Sequence, residues 1–417
     1  MTKSVAIIGG GAGGLISAAV MRRRGLKVAV FEAAADVGGV WRYTKPSTST
    51  PMYQSLNSNL PKEIMAFGPD YPFDYSMNSF VSHEDVLKYL TDFVEDNNLR
   101  ECISFNSRVS SISKNGDSWL LHIENHKEPL LFDAVVIANG HYNRPFTPSI
   151  PGLSTFSGNQ SHSIDYDTPQ PFTAKRVLII GSKSSGTDTA REISHHAHSV
   201  YVSDRSLPPE TPTLTHSNNI HHLPAVSHIS NSTIHFQNGT TTEIDEILWC
   251  TGYLYEFPFL SSRPPSRRVD NLYHHLFSID DNSMAFLGLP YTVIPFPLMR
   301  LQAEWLASVW TNSVALPSLN DQKDWLKQDL ESKQSDLEGY HFWGPQQWSY
   351  FRMMAREAGI LSEEWEDWMT VAAEIWEHVG KSRPKVPGGA DTYRRNQYRI
   401  HGPRKWSVLE ESVDYNN

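Results

Sequence analysis

The chain has 417 residues, enough for two or three domains with a sizeable buried core, and at 39% hydrophobic and 20% charged it is composed like a globular protein. A formal net charge of −10 argues against nucleic acid or an anionic membrane as the main partner. Only two cysteines occur, Cys102 and Cys250, with no C-x-x-C, so a disulfide framework and a redox dithiol are excluded and a reducing compartment is expected.

The first element is the buried strand VAII (5–8), which runs into the turn 9-GGGAGG-14. A helix follows, with Leu15, Ile16, Ala19 and Val20 at helical spacing and Gly25 as its stop, and then the strand VAVFE (28–32). The apolar run from Val5 to Met21 is broken by glycines and is followed, not preceded, by Arg22 to Arg24, which is the wrong order for a secretory leader. No stretch approaches about 18 uninterrupted apolar residues, so a soluble, cytoplasmic protein without stable membrane insertion is expected.

The turn satisfies G-x-G-x-x-G through Gly9, Gly11 and Gly14, with Ala12 and Gly13 between them. Gly9 allows the tight turn, Gly11 lets backbone approach a pyrophosphate, and Gly14 lets helix and strand pack closely. The helix N-terminus offers N–H donors to an anion. Glu32 ends the next strand, where a carboxylate can accept from a ribose diol. Together these predict a dinucleotide site.

A loop-rich stretch follows over 46–73, then a predicted helix from His83 to Asn97 and short strands ending in VVIA (135–138). The unit then recurs as VLII (177–180), GSKSSG (181–186), a helix, and VYVS (200–203). Lys183 stands where the second glycine belongs. A P-loop is ruled out because Thr187-Asp188 follow Gly186 in place of Lys-Ser/Thr. A bare structural turn and a second nucleotide site both remain, and Lys183 either places its ammonium over a pyrophosphate or points to solvent. Downstream, 233–250 reads as a hairpin turning near Asn238-Gly239 and then a buried strand, prolines at 207–212 and 263–265 mark loops, and from about Leu298 the pattern is mainly helical. The layout is α/β, with two Rossmann-like dinucleotide-binding domains and a helical C-terminal part. The second domain, 166–251, is inserted into the first, 1–165 and 252–417. The histidines of 195-HHAH-198 and 221-HH-222 lack a carboxylate or cysteine at ligand spacing, and no metal is expected.

Several ordered motifs carry a resemblance: DVGGVW (36–41), SNLPKEIMAF (58–67), FSGNQSHSIDY (156–166), WCTGY (249–253), FLGLPYTVIPFPLMRLQAEW (286–305), SSGTDTA (184–190) and, more loosely, GPQQWSYF (344–351). The sequence resembles the flavin-containing monooxygenases, class B flavoproteins, and especially their soluble fungal, yeast-like members. Baeyer–Villiger enzymes place tryptophan four residues after the signature histidine. Here His162 is followed at that spacing by Tyr166, which favours heteroatom oxygenation.

The resemblance implies FAD and NADPH as cofactors, O2 as co-substrate, and a small molecule with a nucleophilic sulfur or nitrogen that is oxygenated through a flavin C4a-hydroperoxide. Such chemistry needs a dry, preorganised site more than a protein acid or base. By resemblance Asn59 lies beside the flavin and is the catalytic candidate; as a plain turn residue before Pro61 it would have no such role. Gly39, Val40, Trp41, Leu60 and Gln302 join Gly9, Gly11, Ala12, Gly13, Gly14 and Glu32 around FAD, although Trp41 also reads as core and Gln302 as a helix-surface residue. Gly181, Ser182, Lys183, Ser184, Ser185 and Gly186 would hold NADPH, with Ser203 and Arg205 at its 2′-phosphate and Asp204 turned outward. Thr251, Gly252 and Tyr253 complete the cofactor-binding set, His162 orients the hinge or is structural, and Cys250 reads as core. The alternatives are an NADPH oxidase or reductase and a Baeyer–Villiger oxygenase. Substrate identity stays open, as does assembly, a homodimer included.

Overall fold

Both predicted β-α-β units form. The computed structural model describes residues 2–44, 51–216, 219–333, 339–387 and 389–409. At its centre the first sheet sets Ser4–Ile8 parallel to Lys27–Phe31 on one side and to Ala134–Ile137 on the other. Ile103–Ser104 and Met284–Phe286 extend it in parallel, and Phe277–Ser278 and Leu272–Tyr273 close one edge antiparallel. Val5 and Ile7 pack against the helices Ala12–Arg23 and Pro295–Trp310, while Ala6 and Ile8 face a layer that includes the meander Val109–Asn115, Ser118–Ile123 and Leu130–Phe132. Covering both faces is why the central strand reads as an unbroken apolar run rather than an alternation.

The second sheet repeats this plan. Arg176–Ile180 lies parallel between Ser199–Ser203 and Glu246–Trp249, with Ile220–Leu223 beyond the former and Asn159–His162 beyond the latter. Leu214–His216 adds an antiparallel edge. The helix Ser184–Ser194 buries Ala190 and Ile193 on Val177 and Ile179, and a hairpin layer with Ile229, Ile234 and Phe236 covers Leu178 and Ile180. The hairpin pairs Thr233–Phe236 with Thr241–Glu243 around Asn238-Gly239, as its turn residues predict.

Two features depart from expectation. The second sheet takes in Asn159–His162, upstream of the expected boundary at residue 166. That strand is NQSH, an edge strand without the apolar run that marks a buried one, so its polarity concealed it. The C-terminal part is helical through Leu319–Ser332, Gln347–Glu357 and Glu363–Ser382 but ends in a hairpin, Gln397–Gly402 with Lys405–Leu409. Tyr398 anchors this hairpin: its N–H donates to Ser79 Oγ at 2.7 Å and its ring packs 6.2 Å from Phe80.

A two-strand antiparallel ribbon, Arg144–Pro145 with Tyr253–Leu254, links the units. Residues 45–50, at the start of the loop-rich stretch, lie outside the described residues. Its continuation reaches the second unit, where Tyr53 meets Tyr166 edge-on at 5.4 Å. Among the described residues no helix is long and apolar enough to cross a membrane.

Candidate functional site

One cleft of about 1660 Å³ runs between the units, and both glycine turns line it. Gly9 sits at φ +112°, and a Cβ there would lie 2.5 Å from the Ala138 carbonyl oxygen. Gly181 sits at φ +110°, and a Cβ there would collide with the Cys250 carbonyl. Any other residue would be strained in backbone and blocked in space at both positions. Gly14 and Gly186 pack so closely on Gly9 and Gly181 that a Cβ would overlap their carbonyl oxygens.

Each turn opens a helix, capped at Gly11 or at Lys183, with no side-chain cap and no acidic residue in the first turn. First-turn N–H groups therefore face the cleft without a competing carboxylate, the arrangement a pyrophosphate needs. Glu32 is fixed beside the first turn: Oε2 accepts from Gly10 N at 2.5 Å and Oε1 from Ala34 N at 2.6 Å. The residues present thus fit two dinucleotides.

The sequence-predicted residues gather here with three exceptions. Gly14 and Gly186 lie beneath the turns, and Gln302 does not line the cleft. Gln302 is fully buried rather than on a helix surface, and its Oε1 accepts from Gly288 N at 2.8 Å. It therefore positions a glycine that does line the cleft. Asn59 does not cap its own turn: Nδ2 faces Ser184 Oγ at 3.4 Å, bridging the units, while its carbonyl accepts from Arg383. Trp41 lines the cleft and meets Phe296 edge-on at 6.3 Å. Thr251 Oγ1 donates to the Phe146 carbonyl, and Phe146 N donates to Gly252 O at 3.0 Å, so WCTGY forms the crossing between units.

His162 lies at that crossing. Its Nδ1 accepts from Ile164 N at 3.2 Å, leaving Nε2 to donate to Gly252 O at 3.1 Å. Burial lowers its pKa, in keeping with a neutral, structural imidazole. Lys183 is exposed at the cleft, and its Nζ stands 5.7 Å from the Tyr291 ring centroid on the opposite side. Cys250 lines the cleft half-buried, and burial pushes its thiol up to about 12, which disfavours the thiolate.

At the end of the second unit's strand, Ser203 lines the cleft, with its Oγ donating to Pro224 O at 3.3 Å. One expectation here needs correction. Asp204 turns inward, not outward: its side chain is 12% exposed, with Oδ2 3.2 Å from His222 Nε2 and Oδ1 accepting from Ser206 N at 2.8 Å. Burial raises the carboxyl pKa, but hydrogen bonds from His222, Ser182 and Ser206 outweigh it and hold Asp204 well below the usual carboxylate range. The partner is His222, one of the two adjacent histidines noted for metal, and the other, His221, stacks on Tyr201 at 4.8 Å.

Sequence reasoning missed His141, Tyr291, Trp376 and Arg383, all of which line the cleft. Burial brings His141 down to about 4, so it is neutral at ordinary pH. Trp376 and Arg383 come from the last helix and its end, where no local pattern marks a site. A buried ion network beside them ties the C-terminal part to the second unit. Arg394 Nη2 contacts Asp188 Oδ2 at 2.8 Å and Nη1 contacts Asp391 at 2.6 Å, while Arg191 contacts Asp188 at 2.7 Å. Burial raises the Asp188 pKa, but Arg394 and Arg191 together hold it below its ordinary value.

The flavin-binding monooxygenase-like family model matches residues 2–209 and 207–358. A flavin-containing monooxygenase of Arabidopsis thaliana, FMO GS-OX-like 4, is 34% identical over 415 residues, covering 89% of this chain and 91% of its own. FMO GS-OX-like 7 from the same plant is 36% identical, covering 77% and 76%. Among solved structures, S-allyl-L-cysteine S-oxygenase from Allium sativum superposes with a TM-score of 0.84 at 30% identity, covering 94% of this chain and 95% of its own. Cyclohexanone monooxygenase, with a TM-score of 0.62 at 14% identity, shares the fold alone. These sequence relatives are plant proteins, so the comparisons support the family and not the fungal, yeast-like subdivision expected from the motifs. The chain belongs to the flavin-binding monooxygenase-like family and is an enzyme of the FAD-dependent, NADPH-using monooxygenase class.

Proposed function

We propose that the chain transfers one oxygen atom of O2 to the sulfur of a small thioether or thiol, with NADPH as reductant. For a thioether the balance is one thioether, one O2, one NADPH and one proton consumed, and one sulfoxide, one NADP⁺ and one water formed. The observation that carries the reading is the pair of uncapped helix N-termini on one cleft, with Asn59 spanning from one unit to the other between them. The likeness to a garlic S-oxygenase over nearly the whole chain favours sulfur over nitrogen.

In this reading the first turn, Gly9, Gly11, Ala12, Gly13 and Gly14, seats the FAD pyrophosphate, and Glu32 accepts from its ribose. Gly39, Val40, Trp41, Asn59 and Leu60 flank the ring system. Gly181 to Gly186 seat NADPH, with Arg205 at the rim, and Thr251, Gly252 and Tyr253 hold the crossing between the two. The FAD-binding unit is 1–158 with 252–417, and the NADPH-binding unit takes in the edge strand Asn159–His162 and runs to residue 251. Bound FAD supplies the redox and oxygen-activating chemistry.

The chain's own residues do the rest. Asn59 Nδ2 offers a hydrogen-bond donor at the junction of the two nucleotides. Trp41, Leu60, Phe296 and Met299 supply apolar wall that keeps water away from the reacting sulfur. A soft sulfur lone pair attacks without deprotonation, so the absence of a base–nucleophile pair among the described lining residues fits this chemistry. The test is turnover under ¹⁸O2 with a panel of thioethers, thiols and tertiary amines. Labelled sulfoxide at one equivalent per NADPH supports the reading. NADPH consumed with only hydrogen peroxide formed would make the protein an oxidase.

A further inference from the structure

The two glycine turns correspond residue for residue, and the correspondence extends to the acid that follows each. Gly9 N donates to Phe31 O at 2.9 Å, and Gly181 N donates to Ser203 O at 3.0 Å. The next residues are Glu32 and Asp204, whose backbone N–H groups donate at 2.9 Å to Ser104 O and Leu223 O on the adjoining strands. Glu32 Oε1 accepts from the N–H two residues on, Ala34, at 2.6 Å, and Asp204 Oδ1 accepts from the N–H two residues on, Ser206, at 2.8 Å. Each carboxylate also returns to its own turn, Glu32 to Gly10 N at 2.5 Å and Asp204 to the Ser182 side chain. Both line the cleft.

We propose that Asp204 accepts from the adenosine ribose hydroxyls of the reducing nucleotide, as Glu32 is placed to do in the first unit, and that it thereby relaxes coenzyme choice so that NADH serves beside NADPH. The proposal rests on the reading of the second turn as the pyridine-nucleotide site. A carboxylate in this position favours a 2′-hydroxyl, which donates to it, and opposes a 2′-phosphate, which it repels. Its hydrogen-bond partners keep it ionised, so the repulsion is not relieved by protonation near neutrality. Aspartate is one methylene shorter than glutamate and draws the charge back toward the turn. Arg205 stays at the rim, where a guanidinium can still meet a 2′-phosphate. The outcome is competition between an acid and a base at one position, not a site built for one nucleotide.

The test is calorimetric titration of the oxidised, FAD-loaded enzyme with NADP⁺ and NAD⁺, with no turnover involved. Wild type is expected to bind the two within about tenfold of each other. Asp204→Ser should tighten NADP⁺ and weaken NAD⁺, moving the ratio about tenfold or more toward NADP⁺. Asp204→Asn keeps an acceptor for Ser206 N and removes the charge, so it should tighten NADP⁺ even if the serine variant folds poorly. Arg205→Ala should move the ratio the opposite way. A wild-type preference for NADP⁺ above about a thousandfold, or a ratio unmoved by both Asp204 variants, overturns the proposal. If the wild type binds neither nucleotide, the assignment of the second turn fails first and takes this inference with it.

Discussion

The two halves of the cleft are built on one plan and differ at one residue in a telling way. In the first turn Gly11 carries no side chain and lies against Gly39, whose Cα is 3.4 Å from where a Cβ would be. In the second, Lys183 occupies the equivalent place and reaches across to Tyr291. The first turn is therefore enclosed by its own unit through Gly38 and Gly39, and Gly38 N donates to Gly10 O at 3.0 Å. The second is open and touches the opposite unit. A resident cofactor needs enclosure, whereas a nucleotide that arrives and leaves needs an open site. The difference matches FAD in the first turn and the reductant in the second.

The largest expected effect comes from breaking the enclosed side. Gly9→Val places a branched side chain at φ +112° against the Ala138 carbonyl, costing at least about 3 kcal/mol and releasing flavin. Absorbance of the purified protein reads this directly, and a fully yellow Gly9→Val would contradict the assignment. Next comes the ion network under the open side. Asp188→Ala leaves Arg394 buried without its main partner and should cost about 3 kcal/mol, with Asp188→Ala/Arg394→Ala recovering part of it. Denaturant titration of both single variants and the double measures this, and losses that simply add would show no coupling.

Acid gives a smaller effect with a fixed sign. Burial lowers His141 to about 4 and pushes His275 and His341 down as well, against an ordinary value near 6.5. The unfolded chain therefore binds more protons below about pH 6.5, so stability is fully present above that value and is lost as pH falls toward 4. His141, His275 and His341 belong to the first unit, so flavin should leave in the same window as the melting temperature drops. A flat profile between pH 6.5 and 4.5 would contradict this. The smallest effect is that of Lys183→Ala, which removes a cation–π contact of about 0.5–1 kcal/mol and should raise the NADPH KM severalfold, with Lys183→Gly restoring part of the loss. Wild-type behaviour of both variants would make the lysine a bystander.

Much of this was legible in the sequence because the glycine turns must satisfy local geometry. A φ near +110° against a carbonyl admits only glycine, so Gly9 and Gly181 announce themselves. Glu32 was legible because it directly ends an apolar strand. Asp204 was equally visible, but its direction was not, since that depends on His222, which the fold brings from a neighbouring strand. Gln302 gave no hint that it holds Gly288 from behind. Trp376, Arg383 and the hairpin at 397–409 were illegible for a related reason: they reach the cleft or Ser79 through long-range packing, with no local motif.

The division of labour between the turns has one direct test, the colour of Gly181→Val on mixing with NADPH. The variant should purify yellow, bleach with dithionite, and stay yellow with NADPH, because only the second turn is blocked. A colourless protein, or one that NADPH still bleaches at the wild-type rate, would contradict the assignment of FAD to the first turn and the reductant to the second.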